Sequence, residues 1–273
     1  MSAYSYDAEI ISVGNELLIG RIVNTNASWL GRKLTMLGYN VRRITTVRDD
    51  LNDIASAIRE ALARKPRVII MTGGLGPTFD DMTSEALAKA LGRRWVINDD
   101  AYREVKEKYD RRGLELTEHR VKMAKMPEGA VSLRNPVGVA PGILVEEDHV
   151  LIIALPGVPA EMKGIFESQV ETLLKERGPR LEYAEAYLQV KGVPESTAAP
   201  VLDKIMKEHV KVYIKSHPKG KEEVSVIVYH ITSYDKNLED AKENVRKALE
   251  KLKSELLKLG GEVKEIKPEE VEL

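Results

Sequence analysis

Val68-Ile69-Ile70-Met71-Thr72-Gly73-Gly74-Leu75-Gly76-Pro77-Thr78-Phe79-Asp80-Asp81-Met82-Thr83 is the stretch on which the fold turns. Val68 to Thr72 reads as a strand that is apolar on both faces, as a central parallel strand is. The glycines end it, and a helix follows through Ala86 to Leu91. Glycines at such a turn let backbone N–H groups approach an anion closely, and the next helix adds its positive end. The loop is not a Walker A loop, because no Gly-Lys-Ser/Thr follows, and it is not Gly-x-Gly-x-x-Gly. On spacing alone, a tight turn without a ligand fits it too. Asp80 and Asp81 add information. Carboxylates beside an anion site repel the ligand unless a cation bridges them or they handle a proton. Capping of the following helix by Asp81 or Thr83 is the bland alternative, and it does not exclude the other.

Outward from this stretch the same alternation repeats. Ala8 to Val13 reads as a buried strand ending at Gly14-Asn15. Asn26 to Leu37 puts Trp29, Leu30, Leu34 and Leu37 on one helical face, and Gly38 stops it. That register makes Trp29 a core residue rather than a stacking platform. Tyr39 to Thr46 reads as a second strand. Asp49 or Asp50 can cap a helix whose apolar face is Leu51, Ile54, Ala55, Ile58, Ala61 and Leu62. Alternating strands and helices predict a mostly parallel sheet with right-handed crossovers. Two more helices are expected, around 101–112 and 118–125. Gly142 to Val145 and Val150 to Ala154 then read as a hairpin that adds an antiparallel element. Leu155-Pro156-Gly157-Val158-Pro159 opens one helix to about Glu176. Gly178-Pro179-Arg180 marks a boundary, which gives expected domains of 1–178 and 179–273. The second follows β-α-β-β-α-β, the order of a small ferredoxin-like α+β domain. Its Lys215, His217, Lys219 and Lys221 read as a basic, solvated turn that can also reach over a phosphate. The five histidines show no ligand spacing.

The chain has 273 residues, 43% of them hydrophobic and 31% charged, with net charge −1. That is a globular composition with no call for a nucleic-acid or membrane partner. It contains no cysteine, which removes disulfides, thiolate catalysis and zinc–thiolate sites. Abundant Lys, Arg and Glu without cysteine is also a thermophile trait. No apolar run approaches the roughly 20 residues of a membrane span, and no signal peptide is visible, so a cytoplasmic protein is expected.

In open α/β sheets, ligands bind beyond the carboxyl ends of the strands. Four loops share that edge here: Gly14-Asn15-Glu16, Val47-Arg48-Asp49-Asp50, the glycine loop, and Leu155 to Pro159. Together they predict one crevice. Pro156 and Pro159 shape their corner, and the Gly157 backbone makes any ligand contact there. Glu16 is either a metal ligand or a partner for backbone N–H groups of its own loop.

Thr72 to Thr83 resembles the loop of the molybdopterin-binding MogA/MoaB/MoeA superfamily. More closely, it resembles the N-terminal domain of the CinA competence/damage-inducible family. Gly14-Asn15-Glu16-Leu17-Leu18-Ile19-Gly20 with Val23-Asn24-Thr25-Asn26 is similar to that family's opening motif. So are Asn135-Pro136-Val137-Gly138-Val139-Ala140-Pro141-Gly142 and Leu155-Pro156-Gly157-Val158-Pro159-Ala160-Glu161-Met162. Lys215-Ser216-His217-Pro218-Lys219-Gly220 is similar to a stretch of its small second domain. The resemblance spans Ala8 to about Ile231. It implies a three-layer α/β/α molybdopterin-binding-like domain and a small α+β domain, ferredoxin-like or KH-like. It implies metal-dependent hydrolysis of ADP-ribose to AMP and ribose 5-phosphate. The C-terminal domain that deamidates nicotinamide mononucleotide in many CinA proteins is not expected here. In the MogA-like relatives, an aspartate after the glycine loop and one after the second strand are important, and Asp81 and Asp49 match them. Leu75 stands where those relatives often carry threonine. This removes a hydroxyl near the anion.

The expected catalytic residues are therefore Asp81 and Asp49. The expected ligand-binding residues are Gly14, Asn15, Glu16, Thr72, Gly73, Gly74, Gly76, Pro77, Thr78, Gly138, Pro156 and Gly157. Asn24 and Asn26 join them as contacts to a ribose or a second phosphate. Asp81, Asp49 and Glu16 are the expected ligands of Mg²⁺, Mn²⁺ or Co²⁺, since hard oxygen donors favour such ions. A pyrophosphatase would hold the diphosphate over Gly73 to Gly76 and activate a metal-bound water. The alternative is a binding or transfer protein for molybdopterin or a related phosphate-bearing cofactor, without hydrolysis. A non-catalytic interaction module is a third expectation. By analogy with relatives, a dimer or trimer is expected.

Overall fold

Strand β1 (Asp7–Val13) runs through a short helix α1 (Asn15–Leu18) and helix α2 (Thr25–Met36) into β2 (Asn40–Val47). Helix α3 (Leu51–Ala63) leads to β3 (Val68–Thr72), and α4 (Thr83–Ala90) follows the glycine loop. Next come β4 (Trp95–Ile97), α5 (Asp99–Asp110), α6 (Glu118–Lys122), β5 (Lys125–Pro127) and β6 (Val131–Leu133). A hairpin, β7 (Gly142–Glu147) and β8 (Val150–Leu155), precedes α7 (Pro159–Ile165) and α8 (Glu171–Arg177). The computed structural model describes residues 6–219 and 225–270. The chain divides into two compact units, Met1–Pro179 and Arg180–Leu273.

The first unit is built on a six-stranded sheet ordered β2-β1-β3-β8-β7-β6. The first four strands are mutually parallel; β7 pairs antiparallel to β8, and β6 antiparallel to β7. Alternation along the strands sorts the core. Ile11, Val13, Ile69, Met71, Ile152 and Ala154 face α3, α4 and α5 through Ile54, Ile58, Leu87 and Val105. Ile10, Val68, Ile70, Leu151, Ile153 and Leu155 face α2 and the α7–α8 segment through Leu30, Leu34, Met162, Ile165 and Leu174. Both faces of the central strands are covered, which makes three layers, α/β/α. The edge strand β2 is largely solvated and carries Arg42 and Arg43, which blunts it against pairing with another sheet.

The helix expected to run unbroken to Glu176 is interrupted by a π turn at Phe166–Val170, whose Phe166 and Val170 are both buried. Trp29, expected in the core, is half-buried: it packs edge-on against the buried Phe166, centroids 5.2 Å apart, at the margin of that core. The expected helix over 118–125 stops at Lys122, because Lys125 to Pro127 pairs with Trp95 to Ile97 in a two-stranded sheet. These strands have three residues each, too few to show a period.

The second unit has strands β9 (Glu182–Lys191), β10 (Val212–Lys219), β11 (Val226–Asp235) and β12 (Glu262–Ile266). Helices α9 (Glu195–Glu208) and α10 (Leu238–Lys258) connect them. The sheet order β10-β11-β9-β12 is wholly antiparallel and is that of a ferredoxin-like unit. The basic turn expected at Lys215 to Lys219 is instead the second half of β10, paired with Val226 to His230. Gly220 and Lys221 lie outside the described residues. Among the described residues no helix is long and apolar enough to cross a membrane.

Glu185, on β9, accepts hydrogen bonds from Tyr183 (2.8 Å) and Tyr187 (3.1 Å) and pairs with His230 Nε2 at 2.9 Å. Burial alone would raise its pKa, but these partners outweigh that and hold it down at about 2. A carboxyl whose folded pKa lies below its unfolded one stabilises the fold above its ordinary pKa of 4.5. That contribution is lost as pH falls through about 2. Glu185→Gln should therefore cost about 2 kcal/mol at pH 7, with the difference from wild type shrinking below pH 4. Urea midpoints of the two proteins across pH 7 to pH 2.5 measure it, and a pH-independent difference would contradict it.

Candidate functional site

The glycine loop is locked from behind. Gly73 has φ +98, and its N–H donates to the Leu155 carbonyl at 3.0 Å. A Cβ there would lie 2.2 Å from the Val13 carbonyl oxygen. Gly74 has φ +68, and a Cβ on it would lie 2.3 Å from the Thr83 hydroxyl. Thr83 is fully buried and donates from Oγ1 to the Gly73 carbonyl at 2.7 Å, while its N–H reaches the Gly74 carbonyl. The chain therefore turns where β1, β3 and β8 end together, with the start of α4 tied to the same turn. Neither Asp81 nor Thr83 caps α4 through its side chain. Thr83 is spent on Gly73. Asp81 Oδ2 accepts from the Thr78 N–H at 2.9 Å and lies 2.5 Å from the Thr78 hydroxyl, which is equally close to Asp80.

This turn opens on a cavity of about 560 Å³. Gly14, Glu16, Asp49, Gly73, Gly74, Gly76, Pro77, Thr78, Asp81, Gly138, Pro156 and Gly157 all line it. The backbone N–H groups of the loop differ from the simplest expectation. Those of Gly73 and Thr78 are used internally. Those of Gly74, Leu75 and Gly76 have no acceptor among the described residues.

The second-strand loop resolves its two aspartates. Asp50 caps α3, accepting from the N–H groups of Asn52 and Asp53. Asp49 faces the cavity and takes the Asn15 N–H at 2.8 Å. Asn15 thus orients Asp49 through its backbone and does not line the cavity. Burial raises the Asp49 pKa, opposed by the Asn15 N–H and reinforced by the fields of Glu16, Asp80 and Asp81.

Three expected contacts lie elsewhere. Thr72, Asn24 and Asn26 line a smaller adjoining cavity of about 140 Å³. Asn24 is tied into the fold at both ends of its amide. Its Oδ1 accepts from Ala27 N–H and caps α2, and its Nδ2 donates to Ser12 Oγ. The expected metal trio is not assembled either. Among the described residues no three Asp, Glu or His side chains gather around one point. Asp49 and Asp81 nonetheless share one cavity with hard donors to spare. Each uses Oδ2 and keeps Oδ1 clear of hydrogen bonds among the described residues.

Several residues were not singled out by sequence reasoning. Tyr109, Arg112 and Glu161 also line the cavity, beside Asp80, which the sequence had marked. Five carboxylates, Glu16, Asp49, Asp80, Asp81 and Glu161, thereby face one arginine, Arg112. Lys122 donates to the Thr78 carbonyl at 2.5 Å, and burial lowers its pKa against the pull of Asp81, Glu85 and Asp80. Asn135 is 1% exposed and organises the Gly138 wall. Its Oδ1 accepts from Val137 and Gly138 N–H, and its Nδ2 donates to the Ala140 carbonyl and Glu161 Oε2. The Asn-Pro-Val-Gly motif signalled this wall, but not that asparagine builds it while Gly138 lines the cavity.

Residues 9–176 match the family model described as a probable molybdopterin binding domain. A protein from Pyrobaculum calidifontis is 54% identical over 246 residues, covering 90% of this chain and 94% of its own length. One from Metallosphaera sedula is 49% identical over 257 residues, 94% of this chain and 96% of its own. The crystal structure of CinA from Thermoplasma acidophilum, a protein described as of unknown function, is 45% identical. It superposes with a TM-score of 0.59 over 62% of this chain and 98% of that one. On the domain match, the fold and these identities, the chain belongs to the probable molybdopterin binding domain family, as a CinA-like member.

Proposed function

We propose that the large cavity binds a phosphate-bearing small molecule of the pterin class, with its phosphate against Gly74 to Gly76. One observation carries this. Three unpaired backbone N–H groups, of Gly74, Leu75 and Gly76, stand at the carboxyl ends of the parallel strands, inside the region that matches the molybdopterin-binding model. Ring-sized room beyond the loop supports the rest of the ligand.

Five carboxylates around an anion are unfavourable without a counter-charge. The donor set fits a hard divalent ion such as Mg²⁺, Mn²⁺ or Co²⁺. Such ions are commonly held by one or two carboxylates plus ligand phosphates and water, so a preassembled protein cage is not required. Asp49 Oδ1 and Asp81 Oδ1 would hold it, with Glu16 and Asp80 adding charge. When bound, the ion would neutralise phosphate charge and polarise water.

A second reading is hydrolysis of a nucleotide diphosphate, ADP-ribose giving AMP and ribose 5-phosphate. The raised pKa of Asp49 favours it. A carboxylate shifted toward neutrality is a better base for a water attacking phosphorus. In this reading Asp81 with Glu16 would hold the cation, and the new P–O bond would form as the anhydride P–O bond breaks, with the water's proton passing to Asp49. The exposed apolar side chains of Leu18, Ile19, Ile22 and Val23 support a dimer or trimer.

Two assays separate the readings. Denaturing the purified protein should release a pterin fluorophore if cofactor binding is its role. Incubation with ADP-ribose and Mg²⁺ should yield AMP only if hydrolysis is. No binding of either ligand by calorimetry would overturn both.

A further inference from the structure

Asn26 was expected to contact a ribose or a second phosphate, and its Oδ1 can serve only the first of these. Its Nδ2 donates to the Gly157 carbonyl at 2.8 Å. Only the NH₂ end can donate to a carbonyl, so this bond fixes which way the amide faces. Its Oδ1 is buried and has no hydrogen-bond partner among the described residues. A buried acceptor left unpaired is costly, and such atoms in native proteins call for an explanation. A phosphate oxygen cannot satisfy it, because both atoms are acceptors. Only an N–H or O–H donor can.

The surroundings match a ligand rather than a single water. Asn26 lines the smaller cavity with Thr72, Ile22 and Val23, and that cavity shares Glu16, Gly73 and Gly157 with the large one. Its volume of about 140 Å³ is several times a water's share of the liquid, about 30 Å³, and close to that of cavities that take a benzene ring. Asn24 beside it has its Oδ1 on the α2 cap and one N–H on Ser12. Beside Glu16, Thr25 and Thr72 of the same lining, Asn26 Oδ1 is the buried acceptor without a partner among the described residues.

We infer that the small cavity is a specificity subsite. The phosphate of the ligand lies against Gly74 to Gly76, and a donor-bearing polar ring reaches past Gly73 and Gly157 to place an N–H or O–H on Asn26 Oδ1. This rests on the phosphate-binding reading of the large cavity. The donor can come from the amino group of a pterin or from a hydroxyl or amino group of a nucleotide; the chemistry is shared, and the ligand arms below tell the sources apart.

The test is calorimetric titration of the full chain and of Asn26→Ala with Mg²⁺ present, using inorganic pyrophosphate, a pterin monophosphate and ADP-ribose. Wild type should bind pyrophosphate and at least one of the other two. Asn26→Ala should lose about tenfold in affinity for that ring-bearing ligand, the size of one hydrogen bond to a buried group. It should keep wild-type affinity for pyrophosphate, which also shows that it folds and that the Gly157 corner survives. The ligand arm that loses affinity identifies the donor's source. Equal affinities for wild type and variant in both arms would overturn the subsite and leave the phosphate site standing. Failure of wild type to bind pyrophosphate or either ligand would overturn the phosphate site and the subsite together. Should Asn26→Ala not fold, a crystal structure of wild type with the bound ligand decides. A ligand donor within about 3.2 Å of Oδ1 is the expected result, and only ordered water there is the contrary one.

Discussion

Replacing Gly73 with alanine is expected to destabilise the first unit by about 3 kcal/mol and to abolish ligand binding in the large cavity. The reason is geometric on two counts. The backbone holds φ +98 at this position, where an L-residue is strained by about 1–3 kcal/mol. The added methyl would sit 2.2 Å from the Val13 carbonyl oxygen, which is backbone of β1 and cannot swing aside like a side-chain tip. Relief requires β1 and β3 to part at their ends or the loop to lift. Either breaks the Gly73 to Leu155 bond and moves the free N–H groups of Gly74, Leu75 and Gly76. Urea unfolding reads the first effect, and pyrophosphate calorimetry reads the second. A variant with wild-type stability and affinity would show that the turn is not the anion site.

Arg64→Met is expected to cost about 2–3 kcal/mol, although it removes a residue at the surface end of a helix. Arg64 is the C-cap residue of α3, and its Nε and Nη2 bond both oxygens of Glu9 at 2.7 Å each. The Glu9 side chain is 4% exposed, on the sheet face that carries Ile11 and Val13. Removing the guanidinium strands a buried carboxylate, and that cost, not the lost attraction, dominates. The estimate sits below the usual range for buried pairs because Arg64 is itself 32% exposed. The double variant Glu9→Met, Arg64→Met should recover most of the loss, since a buried ion pair exchanged for apolar groups is often near neutral. Urea midpoints of the three proteins measure it. A double variant as unstable as Arg64→Met alone would contradict the explanation.

Much of the architecture was legible because it is periodic. The apolar stretches Ala8–Val13 and Val68–Thr72 became adjacent central strands, and the α3 stripe from Leu51 to Leu62 packs on them. The β-α-β-β-α-β order after Arg180 was also readable, because each of its elements except β12 is eight residues or longer. What was missed is short or set by tertiary contacts. Three-residue strands at Trp95 and Lys125 carry no period. Lys215 to Lys219 looked like a solvated turn by composition, yet its backbone is paired along β11. Glu9 inside an apolar strand gave no hint of Arg64, which lies 55 residues away.

The candidate site was legible as loops, not as roles. Four strand-end loops do meet at one cavity. The division of labour within each loop was not readable. Asp49 and Asp50 are neighbours of one type, and only the folded loop sends one to the helix and the other to the cavity. Asn24 and Asn26 separate in the same way, one spent on a cap and one keeping an acceptor. Asn135 and Glu161 act through a wall closed by a contact 26 residues apart in sequence.

The central claim is that Gly74 to Gly76, with Asp49 and Asp81, form a cation-assisted phosphate site. Calorimetric titration of inorganic pyrophosphate into the full chain, with and without Mg²⁺, tests it most directly. The expected result is one saturable site per chain that requires Mg²⁺ and disappears in the double variant Asp49→Asn, Asp81→Asn. Saturable binding that ignores both Mg²⁺ and those substitutions, or no binding at all, would contradict it.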